Sequence, residues 1–219
     1  KIFQNSQYVQ YFKNSFIVAF GCVALILIVS LPSGYALSRF RFRGKNAMLT
    51  AITSVQMFPT VVIMISLYTM YYKLKLLDTY TGLILADTAF AMPLGITLLR
   101  SFFDTVPSSL DEAARIDGAN RLQILLQILL PLILPGIVAA GTYTFLSVWD
   151  DYLLALIVMQ KESNITLTVG LARSFLGEYS NDYGSLMAFS LAGSLPIIIL
   201  FAFFQKFLIS GLTAGAVKG

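Results

Sequence analysis

The stretch LDEAARIDGANRLQILLQILLP, Leu110 to Pro131, places acids, bases and glutamines between two long apolar runs. Charged residues make up only 12% of the whole chain, whereas 57% of its residues are hydrophobic. We therefore expect this polar island to lie at a surface, while the runs on either side of it are buried in protein or lipid.

The first half of the polar island predicts a short helix. Ser109 lies three residues before Glu112, the spacing of a capping box, in which the two side chains satisfy free backbone N–H groups at a helix start. One face of this helix includes small side chains that would let another protein approach closely. The residues at helical spacing on that face are Leu110, Ala113, Ala114 and Asp117.

The second half predicts a turn and a further helix. Gly118 is the expected terminator, because a left-handed backbone costs about 1–2 kcal/mol for any residue with a Cβ atom. From Ala119 onward, leucines recur at helical spacing as far as Pro131. The polar island is therefore interpreted as a helix-turn-helix on the cytoplasmic face, where it is either held by a partner or rests on lipid headgroups.

The composition indicates a membrane protein. The mean hydropathy is +0.78, and a soluble domain of 219 residues would need far more polar surface. The chain has no histidine and one cysteine, Cys22, which excludes an internal disulfide and a histidine-based zinc or catalytic site. Its basic residues flank apolar runs and share no polar face, so the net charge of +4 indicates membrane topology and no nucleic-acid partner.

We expect an all-α fold, a polytopic transmembrane helix bundle. Windows of about 20 apolar residues suit a bilayer core of about 30 Å, and they predict five spans at residues 16–37, 47–71, 82–99, 132–158 and 185–207. Each span contains a proline, which kinks or locally unwinds a membrane helix. Residues 1–219 are interpreted as one transmembrane domain, with a cytoplasmic loop at 107–131 and a C-terminal tail at 211–219.

The basic residues also predict orientation, because cytoplasmic loops carry an excess of lysine and arginine. Nine of the 15 basic residues lie on the side of the polar island, four of them in the cluster RFRFRGK at residues 39–45. The other six are scattered on the opposite side. The polar island and the C-terminus are therefore expected to be cytoplasmic.

The polar island resembles the EAA loop of the integral-membrane subunits of binding-protein-dependent ABC importers. Glu112-Ala113-Ala114, Gly118 and ILLP at residues 128–131 match the pattern E-A-A, three residues, G, nine residues, I-x-L-P without a gap. Further segments are similar to the carbohydrate-uptake branch of that family, the branch of the smaller maltose-type permease. They are NSFIVAF (14–20), GYALSRFRFRGK (34–45), MFPTVVIMISLY (57–68), WDDYLLAL (149–156) and GLTAGAVKG (211–219).

This resemblance covers essentially the whole chain. It implies a permease subunit in the inner membrane of a prokaryote, part of an ATP-driven importer of a sugar or oligosaccharide, with a sixth span upstream of Lys1. The implied partners are two copies of an ABC ATPase, an extracytoplasmic solute-binding protein, membrane lipid and a second related permease, with a homodimer as the alternative. The chain is not expected to be an enzyme, because no segment resembles G-x-x-x-x-G-K-[ST]. It should bind no cofactor itself, and ATP and Mg would belong to the partner ATPase.

By matching position, the resemblance assigns docking on the ATPase to the EAA helix and its turn. The implied docking residues are Glu112, Ala113, Ala114, Arg115, Asp117 and Gly118. The tail is similar to a segment that reaches the interface between the ATPases, although it could also be a frayed, glycine-rich terminus. Its implied contact residues are Thr213, Ala214, Gly215 and Lys218.

The candidate substrate contacts are aromatic and acidic. Tyr143, Trp149 and Asp150 lie in and after the fifth family helix, where rings and carboxylates suit a sugar pathway, although such rings also pack helix bundles. Asp87 is an acid inside the third span, and an ionised carboxylate in a membrane usually faces a cavity or a partner.

Two other functions stay open on the sequence alone. An ion-coupled secondary transporter or channel would use Asp87, Asp150 and Asp151 as coupling carboxylates, but it would not need the EAA pattern. A structural subunit would recruit an ATPase without lining a pathway.

Overall fold

The computed structural model describes residues 6–175 and 183–216, with only the backbone of residues 206 and 208–216, and every regular element in these residues is helical. Three helices are long and apolar enough to cross a membrane: α1 (Ser6–Arg39), α4 (Tyr80–Thr105) and α11 (Tyr183–Ala216). Two bent helix pairs raise the number of possible spans to five. The prediction of an all-α bundle with several apolar helices is confirmed.

The second predicted span, residues 47–71, is not one continuous helix, and it bends at its proline, as predicted. It is divided between α2 (Lys45–Ser54), which ends in a 3₁₀ turn (Val55–Met57), and α3 (Thr60–Leu74), at an angle of 96°. Phe58 and Pro59 between them are extended, with ψ of 129° and 123°. A proline disfavours helical backbone in the residue before it, so the chain bends there.

The fourth predicted span, residues 132–158, is also wrong as a single helix. A helical segment from Arg121 to Leu132 meets α8 (Leu134–Trp149) at 79°, and α8 stops well before residue 158. The Asp151 carboxylate accepts the backbone N–H groups of Leu154 and Ala155, at 3.4 and 2.8 Å, which starts α9 (Leu153–Val158) as a separate helix. A 3₁₀ turn (Glu162–Asn164) and α10 (Leu167–Phe175) follow.

The core consists of two buried clusters within a bundle in which α1 packs along α4 and α8 contacts both. The larger cluster surrounds Tyr11, Phe145 and Trp149. The smaller one lies under the polar island and is called the loop-side core below. Its buried members are Tyr35, Phe102, Phe103, Ala114, Ile124, Leu125, Leu129, Ile133 and Ala139.

α1 packs closely against the main chain of α4 at Gly34, where a Cβ atom would lie 3.0 Å from the backbone nitrogen of Arg100. We expect Gly34→Ala to destabilise the protein by about 1–3 kcal/mol, as overpacking does, because the main chain of α4 cannot move aside. Gly141→Ala is the control, since a Cβ there would lie 3.5 Å from Cγ1 of Val23, an ordinary contact. Thermal unfolding in detergent, followed by the fluorescence of Trp149, measures both variants. Equal midpoints would contradict this packing.

Candidate functional site

The polar island forms two helical segments joined by a turn, as predicted, but its first helix starts differently. α5 (Ser109–Ile116) already includes Ser109, so the predicted capping box with Glu112 is wrong. The N–H groups of Asp111 and Glu112 bond instead to the carbonyl oxygen of Ser108, at 3.0 and 3.2 Å. A capping serine must stand before the first helical residue, and α5 begins too early for Ser109 to do so.

The turn after α5 depends on Gly118, whose left-handed backbone has a φ of +85°. Its N–H bonds to the carbonyl oxygen of Arg115 at 3.0 Å, and the N–H of Ala119 bonds to that of Ala114 at 2.9 Å. These two bonds close the end of the helix as a Schellman motif, with Gly118 in the left-handed position. The predicted terminator is therefore confirmed in its geometry.

The second helix begins at Arg121, two residues later than predicted, because Asn120 caps it. The Asn120 side chain accepts the N–H of Gln123 at 2.9 Å, and the Gln123 side chain accepts the N–H of Asn120 at 2.8 Å. This is the capping box that the sequence analysis placed at Ser109, and the pattern N-x-x-Q could have indicated it. From α6 (Arg121–Gln123) the chain passes through a π-helical segment (Ile124–Leu129) into α7 (Leu130–Leu132).

A buried ion pair holds α5 against the bundle. Nε of Arg39, in the last turn of α1, lies 2.9 Å from Oδ2 of Asp111, in the first turn of α5, and the two side chains are only 9% and 4% exposed. Arg39 also donates from Nη2 to the carbonyl oxygen of Val106 at 2.8 Å. Asp111 further benefits from the positive end of the α5 dipole. The sequence analysis treated Arg39 only as a topology signal and therefore missed this pair.

The outward face of α5 differs from the predicted face at Ala114. Ala114 is 5% exposed and belongs to the loop-side core, so it packs inside this chain and is not presented to a partner. The correction has a simple cause, because a short amphipathic helix needs an apolar contact to rest on the bundle. Ile116, 86% exposed beside the turn, supplies an apolar side chain that the sequence analysis did not assign. The other implied docking residues, Glu112, Ala113, Arg115, Asp117 and Gly118, are all exposed.

Two of the predicted pathway residues meet in a cleft between α3, α4, α8 and α9. Asp87 on α4 and Tyr143 on α8 line this cleft together with Asp151, Thr60 and Ser147, and its volume is about 200 Å³. Asp87 is only 5% exposed, and its Oδ2 has no hydrogen-bond partner among the described residues. This space is called the acidic cleft below, and its other walls are apolar: Phe90, Ala91, Val148, Leu153 and Leu154.

Trp149 and Asp150 lie outside the acidic cleft. Trp149 is 3% exposed, donates from Nε1 to the carbonyl oxygen of Gly193 at 3.1 Å and packs against the ring of Phe16, with centroids 4.7 Å apart. It therefore packs the bundle, which was the alternative given for such aromatics. Asp150 is exposed and does not line the cleft.

The predicted tail contacts fall mostly outside the described side chains. The backbone of Thr213, Ala214 and Gly215 continues α11, and Lys218 lies outside the described residues.

Sequence comparisons all match this chain to membrane subunits of transport systems. The family model of the binding-protein-dependent transport system inner membrane component matches residues 26–213. An inner membrane ABC transporter permease protein of Escherichia coli is 38% identical over 214 residues, which cover 97% of this chain and 75% of that protein. The maltodextrin transport system permease protein of Bacillus subtilis is 34% identical over 220 residues, covering 100% and 79%. The diacetylchitobiose uptake system permease protein of Streptomyces coelicolor is 34% identical over 209 residues, covering 95% and 75%.

Solved structures with a similar fold include a bacterial ABC transporter involved in the import of the acidic polysaccharide alginate. Its matching chain has a TM-score of 0.80 and 27% identity, with 94% of this chain and 76% of that chain covered. The methionine ABC transporter in an inward-facing conformation has a TM-score of 0.70 at 17% identity, covering 93% and 95%. The second match bears on the fold alone.

The buried ion pair generates a prediction. Asp111→Ala leaves the Arg39 guanidinium buried without its counter-ion, and breaking a buried pair in this way typically costs about 3–5 kcal/mol. The double variant Arg39→Met/Asp111→Leu removes both charges and should recover much of that loss. Thermal unfolding in detergent provides the measurement.

The matched control is Asp104→Ala, which removes a partly exposed carboxylate 3.6 Å from Nε of Arg100. Its loss should be smaller, about 1 kcal/mol. If the double variant were no more stable than Asp111→Ala, pairing with Arg39 would not be the reason that Asp111 stabilises the protein.

Proposed function

This chain belongs to the family of binding-protein-dependent transport system inner membrane components, and from that membership we propose that it forms half of the translocation pathway of an ATP-driven importer of sugars or oligosaccharides. As an ABC permease subunit it is a multi-pass protein of the inner membrane and not itself an enzyme. The maltodextrin and diacetylchitobiose permeases among its relatives support a carbohydrate substrate.

The importer needs partners that supply energy and substrate. Its ATPase binds ATP and Mg, and an extracytoplasmic solute-binding protein delivers the sugar. A complete assembly contains two ATPase copies and a second, related permease that forms the other half of the pathway. The family to which the chain belongs, the binding-protein-dependent transport systems, supports the solute-binding partner.

The observation that carries the proposal is the outward face of α5. Glu112, Arg115 and Asp117 offer charged groups around the exposed side chain of Ile116, which combines an apolar anchor with polar groups as protein interfaces do. Gly118 fixes where the helix ends. In this proposal, α5 is the coupling helix that sits in a cleft of the ATPase.

Rigid attachment lets α5 transmit force. The ion pair of Arg39 and Asp111 joins α5 to α1, and Ala114 joins it to the loop-side core, which includes Phe102 and Phe103 of α4. When the two ATPases close on nucleotide, the seated α5 helices are drawn together. Because energy crosses through packed, rigid contacts, α1 and α4 then move with α5, and the pathway changes the side to which it opens.

This function also gives the orientation of the chain. The coupling helix has to face the cytoplasm, where ATP is available, and the basic cluster at residues 39–45 lies on the same side as α5 because Arg39 contacts Asp111. In this proposal the C-terminal tail faces the cytoplasm and contacts the ATPases. An ion-coupled transporter is not favoured, since the family and its relatives are ABC transporter subunits.

The test is the capture of partners by this chain and by two glycine variants. Gly118→Val and Gly44→Val each force a side chain into a left-handed backbone, with φ of +85° and +89°, and neither new Cβ meets any atom within 4 Å. The strain is therefore the same, about 1–2 kcal/mol, but only Gly118 lies in the coupling loop. The tagged chain is extracted gently from its native membrane, and mass spectrometry identifies and quantifies what co-purifies.

We expect wild type and Gly44→Val to retain an ATPase with a G-x-x-x-x-G-K-[ST] segment. Gly118→Val should capture about tenfold less of this ATPase, which corresponds to about 1.4 kcal/mol of binding free energy. A second permease should accompany the ATPase. No ATPase with intact, folded wild type would refute the importer proposal. Equal losses in both variants would refute a specific role of the α5 turn.

A further inference from the structure

The acidic cleft supports an inference about substrate class, which rests on the proposed function. We propose that it is a pathway subsite for a saccharide that carries a protonated amino group, with the Asp87 carboxylate as the contact for that group. From the sequence, Asp87 was a candidate substrate contact without a ligand chemistry, and the cleft supplies that chemistry.

The unpartnered carboxylate is the first observation. Asp87 is only 5% exposed, and its Oδ2 accepts no hydrogen bond within the described part of the chain. A buried carboxylate without a counter-charge or a donor is strongly unfavourable. Because Asp87 lines the cleft, a ligand there can supply what the chain does not.

The second observation is the chemistry of the other walls. Asp151 adds a second carboxylate, already engaged by the N–H groups that start α9, and neither lysine nor arginine is among the lining residues. Thr60 and Ser147 contribute hydroxyl groups, and the exposed ring of Tyr143 offers a flat surface. The cleft therefore combines negative charge, polar groups that can bond sugar hydroxyls and an aromatic face for a sugar ring.

Other occupants fit less well. A metal ion such as Ca²⁺ takes about 6–8 oxygen ligands, but the described residues contain no group of three or more potential metal-binding side chains. An acidic saccharide would bring like charges together, which is unfavourable at short range. A neutral sugar could bond Oδ2 through a hydroxyl, but it would bring no counter-charge to the two carboxylates of the cleft.

The charge of the cleft can be measured with a thiol at its rim, in the complete importer reconstituted in lipid nanodiscs. Ser147→Cys is introduced into a Cys22→Ala background, since Cys22 is the chain's one cysteine and is buried. Native cysteines of the partners are followed separately by mass spectrometry. The probes are the cationic 2-aminoethyl and the anionic 2-sulfonatoethyl methanethiosulfonates, with rates normalised to those of free cysteine.

We expect the cationic probe to react about tenfold faster than the anionic one, because a unit charge a few ångströms away at an effective dielectric constant of about 20 is enough for that ratio. Asp87→Asn should bring the ratio close to one, and Asp87→Glu should restore it. Asp150→Asn removes an equal charge outside the cleft and should leave the ratio above that of Asp87→Asn. A ratio near one with Asp87 present would refute the inference, as would failure of both probes to reach the thiol with and without nucleotide.

Ligand protection identifies the amino group as the recognised feature. A β-1,4-linked glucosamine disaccharide at millimolar concentration should slow labelling several-fold, whereas its N-acetylated form and cellobiose should not. The protection should disappear in Asp87→Asn. Equal protection by cellobiose would show a neutral-sugar subsite and overturn the inference.

The two proposals can fail independently. If an ATPase and a second permease co-purify but the cleft shows no charge selectivity, the importer stands and the inference alone is wrong. If no ATPase co-purifies, the same labelling is done on this chain alone in nanodiscs, and charge selectivity with amine protection there would leave the subsite standing without the proposed importer.

Discussion

The rest of the molecule depends on the ion pair of Arg39 and Asp111, because it fixes a short helix that could not hold its position alone. α5 has eight residues, and isolated helices shorter than about 12–15 residues are marginal in water. Of the three ion pairs in the described residues, this is the one whose two side chains are both nearly buried. Burial makes the pair sensitive to the loss of either partner, since a lone buried charge is strongly unfavourable. The same property ties the position of α5 to the end of α1.

The helix breaks that divide two predicted spans are also the places that create the acidic cleft. Thr60 follows the bend at Pro59, and Asp151 stands in the gap between α8 and α9. Irregular backbone at membrane depth is tolerated where it is buried in protein or lines a cavity, and here it lines one. Asp151 shows how the break is stabilised, because its carboxylate bonds the free N–H groups of α9. The prolines and acids of these segments thus belong to one arrangement.

Most errors of the sequence-based predictions concern features that depend on neighbours, although the capping box of Asn120 and Gln123 is a local feature that was wrongly placed at Ser109. Gly118 was predictable, because a left-handed turn after a short helix favours glycine wherever it occurs. The fate of Ala114 was not, because an alanine can face a partner or the chain's own core with the same helical spacing. From the sequence, Trp149 suited a sugar pathway as well as it suited bundle packing. Its contacts with Phe16 and Gly193, which are distant in sequence, place it in the packing of the bundle. The family resemblance supplied the docking role proposed for the EAA pattern, which periodicity alone did not contain.

The two sites are connected mainly through α4. Asp87 lies near the start of α4. Near the other end of α4, Phe102 and Phe103 pack in the loop-side core with Ala114 of α5. The 16 residues from Asp87 to Phe103 correspond to about 24 Å at 1.5 Å per residue, so a tilt of α4 at its α5 end displaces Asp87 relative to Tyr143 on α8. Pro93 lies between the two positions and removes a backbone hydrogen bond. α4 can therefore bend at Pro93 and absorb part of this motion. The stiffness of α4 at Pro93 would decide how much of a displacement of α5 is transmitted to the acidic cleft.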